Sequence, residues 1–306
     1  MLTAQQKAHR LRGVGASEVL AALGKDPRCT PLELYGRKVG EVPEPNLASD
    51  ERVLFGQLLE PVIRGEFARR MNVRVVRRHQ TIYHRDVPLL GHLDGWMPAL
   101  RSGVEIKTAD RFEADEFGEE GTDQVPPRYF IQCAAYIALT DASEWHLAVL
   151  IGGNQLRTYR IPRDQQIEEM ILDGVSAFWQ HVTRMEPPDP TTPEDVRLRW
   201  PKDFGTTVVA SDEVVNATTR LRAMREDLAQ LTAQCDCDAL TIQKFMAEHA
   251  ELIDADGNVL ATWRTARPSY RMDVKALTAD YPQMASAYMR EVPGSRRFLL
   301  KGVHNP

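Results

Sequence analysis

Gly91-His92-Leu93-Asp94-Gly95, followed by Gly103-Val104-Glu105-Ile106-Lys107-Thr108, is the stretch that decides how this chain reads. Side chains two apart in a strand share a face, so Glu105 and Lys107 project together while Val104 and Ile106 face a core. Asp94 lies at a turn beside Gly95, ahead of that strand. If the two strands pair as a hairpin, Asp94 and Glu105 meet at one point. Two carboxylates at one point repel and need a cation. Hard oxygen ligands with open coordination suit Mg²⁺, with Mn²⁺ able to substitute, and the Ile106 carbonyl offers a further oxygen. An ammonium beside the metal, that of Lys107, can orient a water and favour its deprotonation. Asp, Glu and Lys so placed are the parts for hydrolysing a phosphodiester. Taken alone, Glu-x-Lys at the end of a strand is more often a cross-strand ion pair.

Upstream, Arg10-Leu11-Arg12-Gly13-Val14-Gly15-Ala16-Ser17-Glu18 precedes a short helix. A glycine-flexed backbone at a helix start is an anion site, with Ser17 adding a hydroxyl and the arginines adding charge. By itself the pattern is also an ordinary turn. Thr30-Pro31-Leu32-Glu33 is a capping box with proline at the first helical position, and Gly40 closes that helix. Asp50 to Met71 is helical in pattern, with Pro61 predicting a kink or break. Val73 to Tyr83, Pro88 to Met97 and Gly103 to Thr108 read as strands. Pro127 to Leu139 reads as a buried helix. His146 to Ile151 and Leu156 to Ile161 read as a hairpin, and Asp164 to Met185 as an amphipathic helix. This order predicts an α/β (α+β) fold, a mixed sheet flanked by helices.

Proline-rich Glu186 to Pro190, with Pro193, cannot continue a helix and marks a boundary. The expected organisation is a body over 1–186, a linker over 187–210 and a C-terminal domain over 211–306. In that last part, Leu221, Leu228 and Leu231 with Met224 suggest one long helix or a helical pair, near coiled-coil spacing. Asp254 to Asn258 suggests a hairpin turn.

Composition sets limits. Lys plus Arg is 38 and Asp plus Glu is 43, a net charge of −5, which excludes a uniformly basic nucleic-acid coat but not a local groove. No apolar run approaches the roughly 18 residues of a membrane span. Met1 to Arg12 lacks the apolar core of a secretory signal. Cys29, Cys133, Cys235 and Cys237 are too scattered for a disulfide scaffold, so a reducing cytoplasm is expected. The arginines between Arg69 and Arg85 read equally as phosphate contacts or solvated surface. The acidic run from Glu113 to Asp123, with Gly118 and Gly121, reads as a mobile loop.

Six ordered blocks resemble a known family: Arg10 to Leu20, Thr30 to Tyr35, Phe55-Gly56-Gln57-Leu58-Leu59-Glu60-Pro61, Gly91 to Gly95, Glu105 to Thr108, and Tyr129-x-x-Gln132-x-x-x-Tyr136. Together, over about Ala8 to Met185, they are similar to the YqaJ-type viral recombinase (lambda exonuclease) family of the PD-(D/E)xK nuclease superfamily. The nominal proline before the aspartate is Leu93 here. The resemblance implies a restriction-endonuclease-like core with a helical and hairpin C-terminal extension. It implies metal ligation by Asp94, Glu105, the Ile106 carbonyl and Glu60, with catalysis shared by Lys107 and by Gln132, which would position the water or a phosphate. Glu60 is otherwise a surface glutamate, and Gln132 a capping amide. Arg10 and Ser17 match positions that hold a DNA 5′-phosphate, and Tyr136 matches a tyrosine that packs. The implied activity is a Mg²⁺-dependent 5′-to-3′ exonuclease, working by two-metal hydrolysis on linear duplex DNA ends and leaving 3′ single-stranded tails. A single-strand annealing protein and a ring-shaped homotrimer are the implied partners, in the cytoplasm of a bacterial host if phage-encoded. An endonuclease or flap nuclease on the same core, or an idle DNA-end or partner-binding module, are the competing readings.

Overall fold

The computed structural model describes residues 11–45, 49–292 and 294–301. The chain divides into two compact units, Met1–Arg199 and Trp200–Pro306.

The first unit begins with β1 (Val14–Gly15), a 3-10 turn (Ala16–Glu18) and α1 (Val19–Ala22). Helix α2 (Pro31–Val39) starts where the Thr30 hydroxyl accepts from the Glu33 N–H, and ends at Gly40 with φ 82°. Helix α3 (Glu51–Met71) is capped by Asp50 and runs through Pro61 unbroken, the proline lying on its exposed side. Strands β2 (Ile82–Tyr83), β3 (Leu89–Gly91), β4 (Gly95–Met97) and β5 (Ser102–Ala109) follow, then a 3-10 helix (Arg111–Glu116) and α4 (Pro127–Thr140). The unit closes with β6 (Glu144–Ile151), β7 (Gln155–Pro162), α5 (Gln165–Arg184) and α6 (Pro193–Arg199).

Strands β4-β5-β6-β7 form one mixed sheet, with β5 and β6 parallel and the outer pairs antiparallel. A smaller sheet has the order β1-β3-β2. Alternation in the strands sorts the core into two layers. Trp145, Leu147 and Val149 pack with the buried face of α4 and with Ile171, Val175 and Phe178 of α5. Val104, Ile106 and Ala148 point the other way, onto Ile63 and Phe67 of α3. Gly103 is required by the first layer, because a Cβ there would lie 2.2 Å from the Trp145 ring.

Four expectations are corrected. The segment from Val73 to Tyr83 is a single bridge, Val76 with Trp96, plus the two residues of β2, because its apolar residues pack on the core only intermittently between exposed arginines. Pro88 to Met97 is two strands in different sheets, broken at His92–Asp94. The acidic run is tied down. Gly121 N–H donates to the Thr158 carbonyl and Arg160 N–H to that of Thr122, both on β7, and Phe117 stacks on Tyr129. Finally, the first unit extends to Arg199, so residues 187–199 do not act as a linker. The Thr30 hydroxyl that caps α2 also donates to Asp195 of α6 at 2.6 Å.

Asp195 accepts as well from Thr191 and Thr192 N–H groups at 2.9 and 3.3 Å. Burial pushes its pKa up, but these hydrogen bonds outweigh it and hold the carboxyl below the usual aspartate value. A depressed pKa contributes stability above the unfolded value that is lost as pH falls through the folded one. Asp195→Ala is expected to cost about 1–3 kcal/mol at neutral pH and less under acid conditions. Urea unfolding at the two pH values measures this.

The second unit contains α7 (Asp212–Met246), the hairpin β8 (Glu251–Ile253) and β9 (Val259–Thr262), and the short helices α8 (Val274–Asp280) and α9 (Pro282–Tyr288). The Asp254 carboxylate caps the hairpin turn by accepting from Asp256 and Asn258. Among the described residues, no helix is long and apolar enough to cross a membrane.

Candidate active site

The break between β3 and β4 is where the chain changes sheets, and Asp94 sits in it. The antiparallel register Gly95 to Val104 continues one step to set Asp94 across from Glu105. Asp94 Oδ2 accepts from the Ile106 N–H at 2.9 Å. Glu105 is 2% exposed. Its Oε1 takes the Lys107 ammonium and the Gln132 amide of α4, each at 2.6 Å. Its Oε2 is buried with no hydrogen-bond partner. Behind it, the Tyr136 hydroxyl donates to the His92 carbonyl at 2.9 Å, steadying the turn. Gly91 makes that possible, since a Cβ there would lie 2.7 Å from Tyr136 Cε1.

The electrostatics are unfavourable for the Asp94 carboxylate as it stands. Burial first, and then the charge of Glu105, push the Asp94 carboxyl well above the ordinary aspartate range, against the opposing pull of Lys107 and the Ile106 N–H. Burial lowers the Lys107 pKa, but Glu105 and Asp94 outweigh it and hold the ammonium more firmly protonated than usual. An unpaired buried carboxylate oxygen costs free energy unless something else meets it. A divalent cation fits this donor set. Among the described residues, no three His, Cys, Asp or Glu side chains converge on one point. A cation held by two carboxylates and a carbonyl would therefore keep open positions for water and phosphate, as Mg²⁺ does.

These groups line a cleft of about 500 Å³ together with Ser17, Arg52, Gln57, Glu60 and Thr108. Ser17 is exposed on its 3-10 turn and reaches both this cleft and an adjoining recess of about 270 Å³ bordered by Arg28, Arg128 and Tyr129. Arg10 lies outside the described residues. Glu60 borders the cleft, but its carboxylate accepts from Arg64 at 2.8 Å and is not clustered with Asp94 and Glu105. In the arginine-rich stretch, Arg69 and Arg70 pair with Glu66 and Arg78 lies over the Trp96 ring, while Arg77 reaches Glu60 at 4.0 Å. Cys133 is fully buried behind Gln132.

Two contributors escaped the sequence reading. Arg64 bridges Glu60 and the Asp94 carbonyl, each at 2.8 Å, tying α3 to the turn. The spacing Glu60 to Arg64 signals the helix pair but not the third partner. Glu18 accepts from the Gly15 N–H at 2.7 Å and from the buried Lys38 ammonium at 2.5 Å, fixing the turn that presents Ser17.

With this geometry in view, similarity to known proteins can be placed on it. Residues 6–143 match the family described as the YqaJ-like viral recombinase domain. The uncharacterized protein YqaJ of Bacillus subtilis (strain 168) is 28% identical over 309 residues, spanning 96% of this chain and 92% of that protein. Among solved structures, the alkaline exonuclease LHK-Exo from Laribacter hongkongensis aligns with a TM-score of 0.49 and 21% identity, covering 60% of this chain and 94% of the other. A phage related exonuclease from Haemophilus somnus 129PT aligns with a TM-score of 0.40 and 12% identity, covering 58% and 99%. The matched span contains Ser17, Glu60, Asp94, Glu105, Lys107 and Gln132, so over residues 6–143 the mixed α/β body of this chain is similar to the YqaJ-like viral recombinase domain.

Proposed function

We propose that this chain is a divalent-metal-dependent exodeoxyribonuclease of phage-type recombination, degrading one strand of linear duplex DNA from a 5′-phosphorylated end. The observation that carries the proposal is the buried junction of Asp94, Glu105 and Lys107, with an unpaired Glu105 oxygen facing a cleft. Asp94, Glu105 and the Ile106 carbonyl would hold Mg²⁺. When bound, the ion would polarise a phosphate oxygen and lower the pKa of a water. Glu60, paired with Arg64 and Arg77, would be the residue to hold a second ion in the two-metal reading.

The protein's own groups then act on the phosphodiester. The Lys107 ammonium, fixed by Glu105, orients the attacking water and offsets charge building on the phosphate. Water oxygen bonds to phosphorus, the bond from phosphorus to the 3′-oxygen of the terminal nucleotide breaks, and that oxygen takes a proton. The shortened strand keeps a new 5′-phosphate for the next cycle. Gln132 holds Glu105 in place or contacts a phosphate. Ser17, with Arg10, receives the terminal 5′-phosphate. Repeated removal leaves a 3′ single-stranded tail, the substrate of a single-strand annealing protein. A ring of three copies would explain repeated turnover without a basic surface, since topology then retains the DNA.

A digestion time course with Mg²⁺ tests this. Linear duplex with 5′-phosphate ends is expected to disappear first, the 5′-hydroxyl duplex slowly, and closed circles not at all. Equal cutting of circles would establish an endonuclease. No cleavage of any substrate with Mg²⁺ or Mn²⁺ would leave a binding module.

A further inference from the structure

The 35-residue helix α7 is about 50 Å long and carries a seam that no described residue of its own unit fills. Val214, Leu221, Leu228, Cys235 and Ile242 succeed one another at intervals of seven. Three residues beyond each lie Ala217, Met224, Leu231, Asp238 and Phe245. This is the a/d pattern of a coiled coil sustained along the whole helix. Leu228 is 63% exposed, Leu231 57% and Phe245 78%. A seam that narrow and that long fits another helix of the same pitch better than a flat surface.

We propose that a second copy of this chain occupies the seam, the two α7 helices pairing antiparallel. The charge pattern selects both occupant and direction. A parallel, in-register pair would stack Asp238 on Asp238 inside the seam and set Arg220 beside Arg225 on both flanks, both repulsive. An antiparallel pair removes both conflicts. Arg220, Arg222 and Arg225 cluster in the N-terminal half, between Asp212-Glu213 and Glu226-Asp227, while Asp236 and Asp238 lie in the C-terminal half with Lys244. Turning one helix over brings Asp236 and Asp238 alongside the cluster from Arg220 to Arg225 of the other copy. The register is also fixed. Overlapping the helices end to end places a positions against d positions: Val214 opposite Phe245, Met224 opposite Cys235, and Leu228 opposite Leu231 of the second copy. Leu221 meets Asp238, whose carboxylate then lies among the arginines. Such a contact is isologous and closes on itself. It is independent of the nuclease reading, and it would join two rings as readily as two monomers.

The test uses the full-length protein. Light scattering across a concentration series is expected to give a mass that Leu228→Asp with Leu231→Asp reduces to half, with helix content and the body's unfolding transition retained. Separately, Met224→Cys in a Cys237→Ser background is expected to yield, with diamide, a covalent dimer whose peptide map joins position 224 to Cys235. A native mass that the double variant leaves unchanged overturns the proposal. So does a cross-linked dimer joined only through Cys235 to Cys235, which would make the pair parallel. A wild-type monomer at every concentration also overturns it, and would assign the seam to the chain's own body or to another protein.

Discussion

Asp94→Asn is expected to cut the rate of duplex digestion by about 10²–10³-fold while raising the stability of the metal-free protein by about 0.5–2 kcal/mol. The two effects share one cause. Asp94 is held against Glu105 with its carboxyl pushed upward, chiefly by burial and then by that neighbouring charge. A carboxylate whose folded pKa is raised contributes stability below its unfolded pKa that is lost as pH rises through the folded one. Asparagine removes that loss and still offers an oxygen to the Ile106 N–H, so the variant's advantage grows with pH above the ordinary aspartate range. Lys107→Ala separates the alternatives further. It is expected to lose rate on a similar scale but to destabilise the protein, because Glu105 is then a buried charge with no cation. Added Mg²⁺ should raise the melting temperature of the wild type and not of Asp94→Asn, by mass action on the folded state. A cross-strand ion pair without catalytic function predicts the opposite for Asp94→Asn: lower stability and unchanged rate. Thermal melts with EDTA or Mg²⁺, beside a digestion time course, distinguish the two.

The meeting of Asp94, Glu105 and Lys107 was legible because it depends on local rules. Strand period puts Glu105 and Lys107 on one face, and the hairpin of β4 and β5 brings Asp94 back to them. Gln132 came from the family resemblance, and its contact with Glu105 is made by a helix packed across the sheet. Contacts set by distant segments could not be read. The acidic run looked mobile from its glycines and charges, yet its anchors are Thr158 and Arg160, which reach it through the hairpin of β6 and β7. The prolines after Met185 marked a real end of α5. Pro193, however, also starts α6, and Asp195 two residues later returns that helix to Thr30. Pro61 does not break α3 for the complementary reason: a helix already stabilised by burying Ile63 and Phe67 tolerates a proline on its exposed side. Glu60 shows the limit of a motif. Its position by the cleft was foreseen, but its partner in the structure is Arg64, four residues on.

Lys38→Ala is expected to destabilise the protein by about 3–5 kcal/mol, although Lys38 does not line the cleft. Its ammonium is buried and meets a Glu18 carboxylate that is itself largely enclosed, so deleting the cation leaves a charge that cannot reach bulk water. The second consequence is functional. Glu18 also takes the Gly15 N–H, and this bond fixes the turn between β1 and the residue that presents its hydroxyl to the cleft, Ser17. Without Lys38 the enclosed carboxylate loses the cation that fixes its position, and that turn loosens. Discrimination between 5′-phosphorylated and 5′-hydroxyl ends should then fall toward unity, while cleavage at saturating DNA, which depends on Asp94, Glu105 and Lys107, changes less. A purely structural pair would lower both substrates' rates equally through loss of folded protein. Glu18→Gln combined with Lys38→Met should cost less than the sum of the single variants, since removing both charges leaves neither one buried alone. Additive losses in that cycle, or a phosphate preference that Lys38→Ala leaves intact in the folded fraction, would uncouple the ion pair from the site.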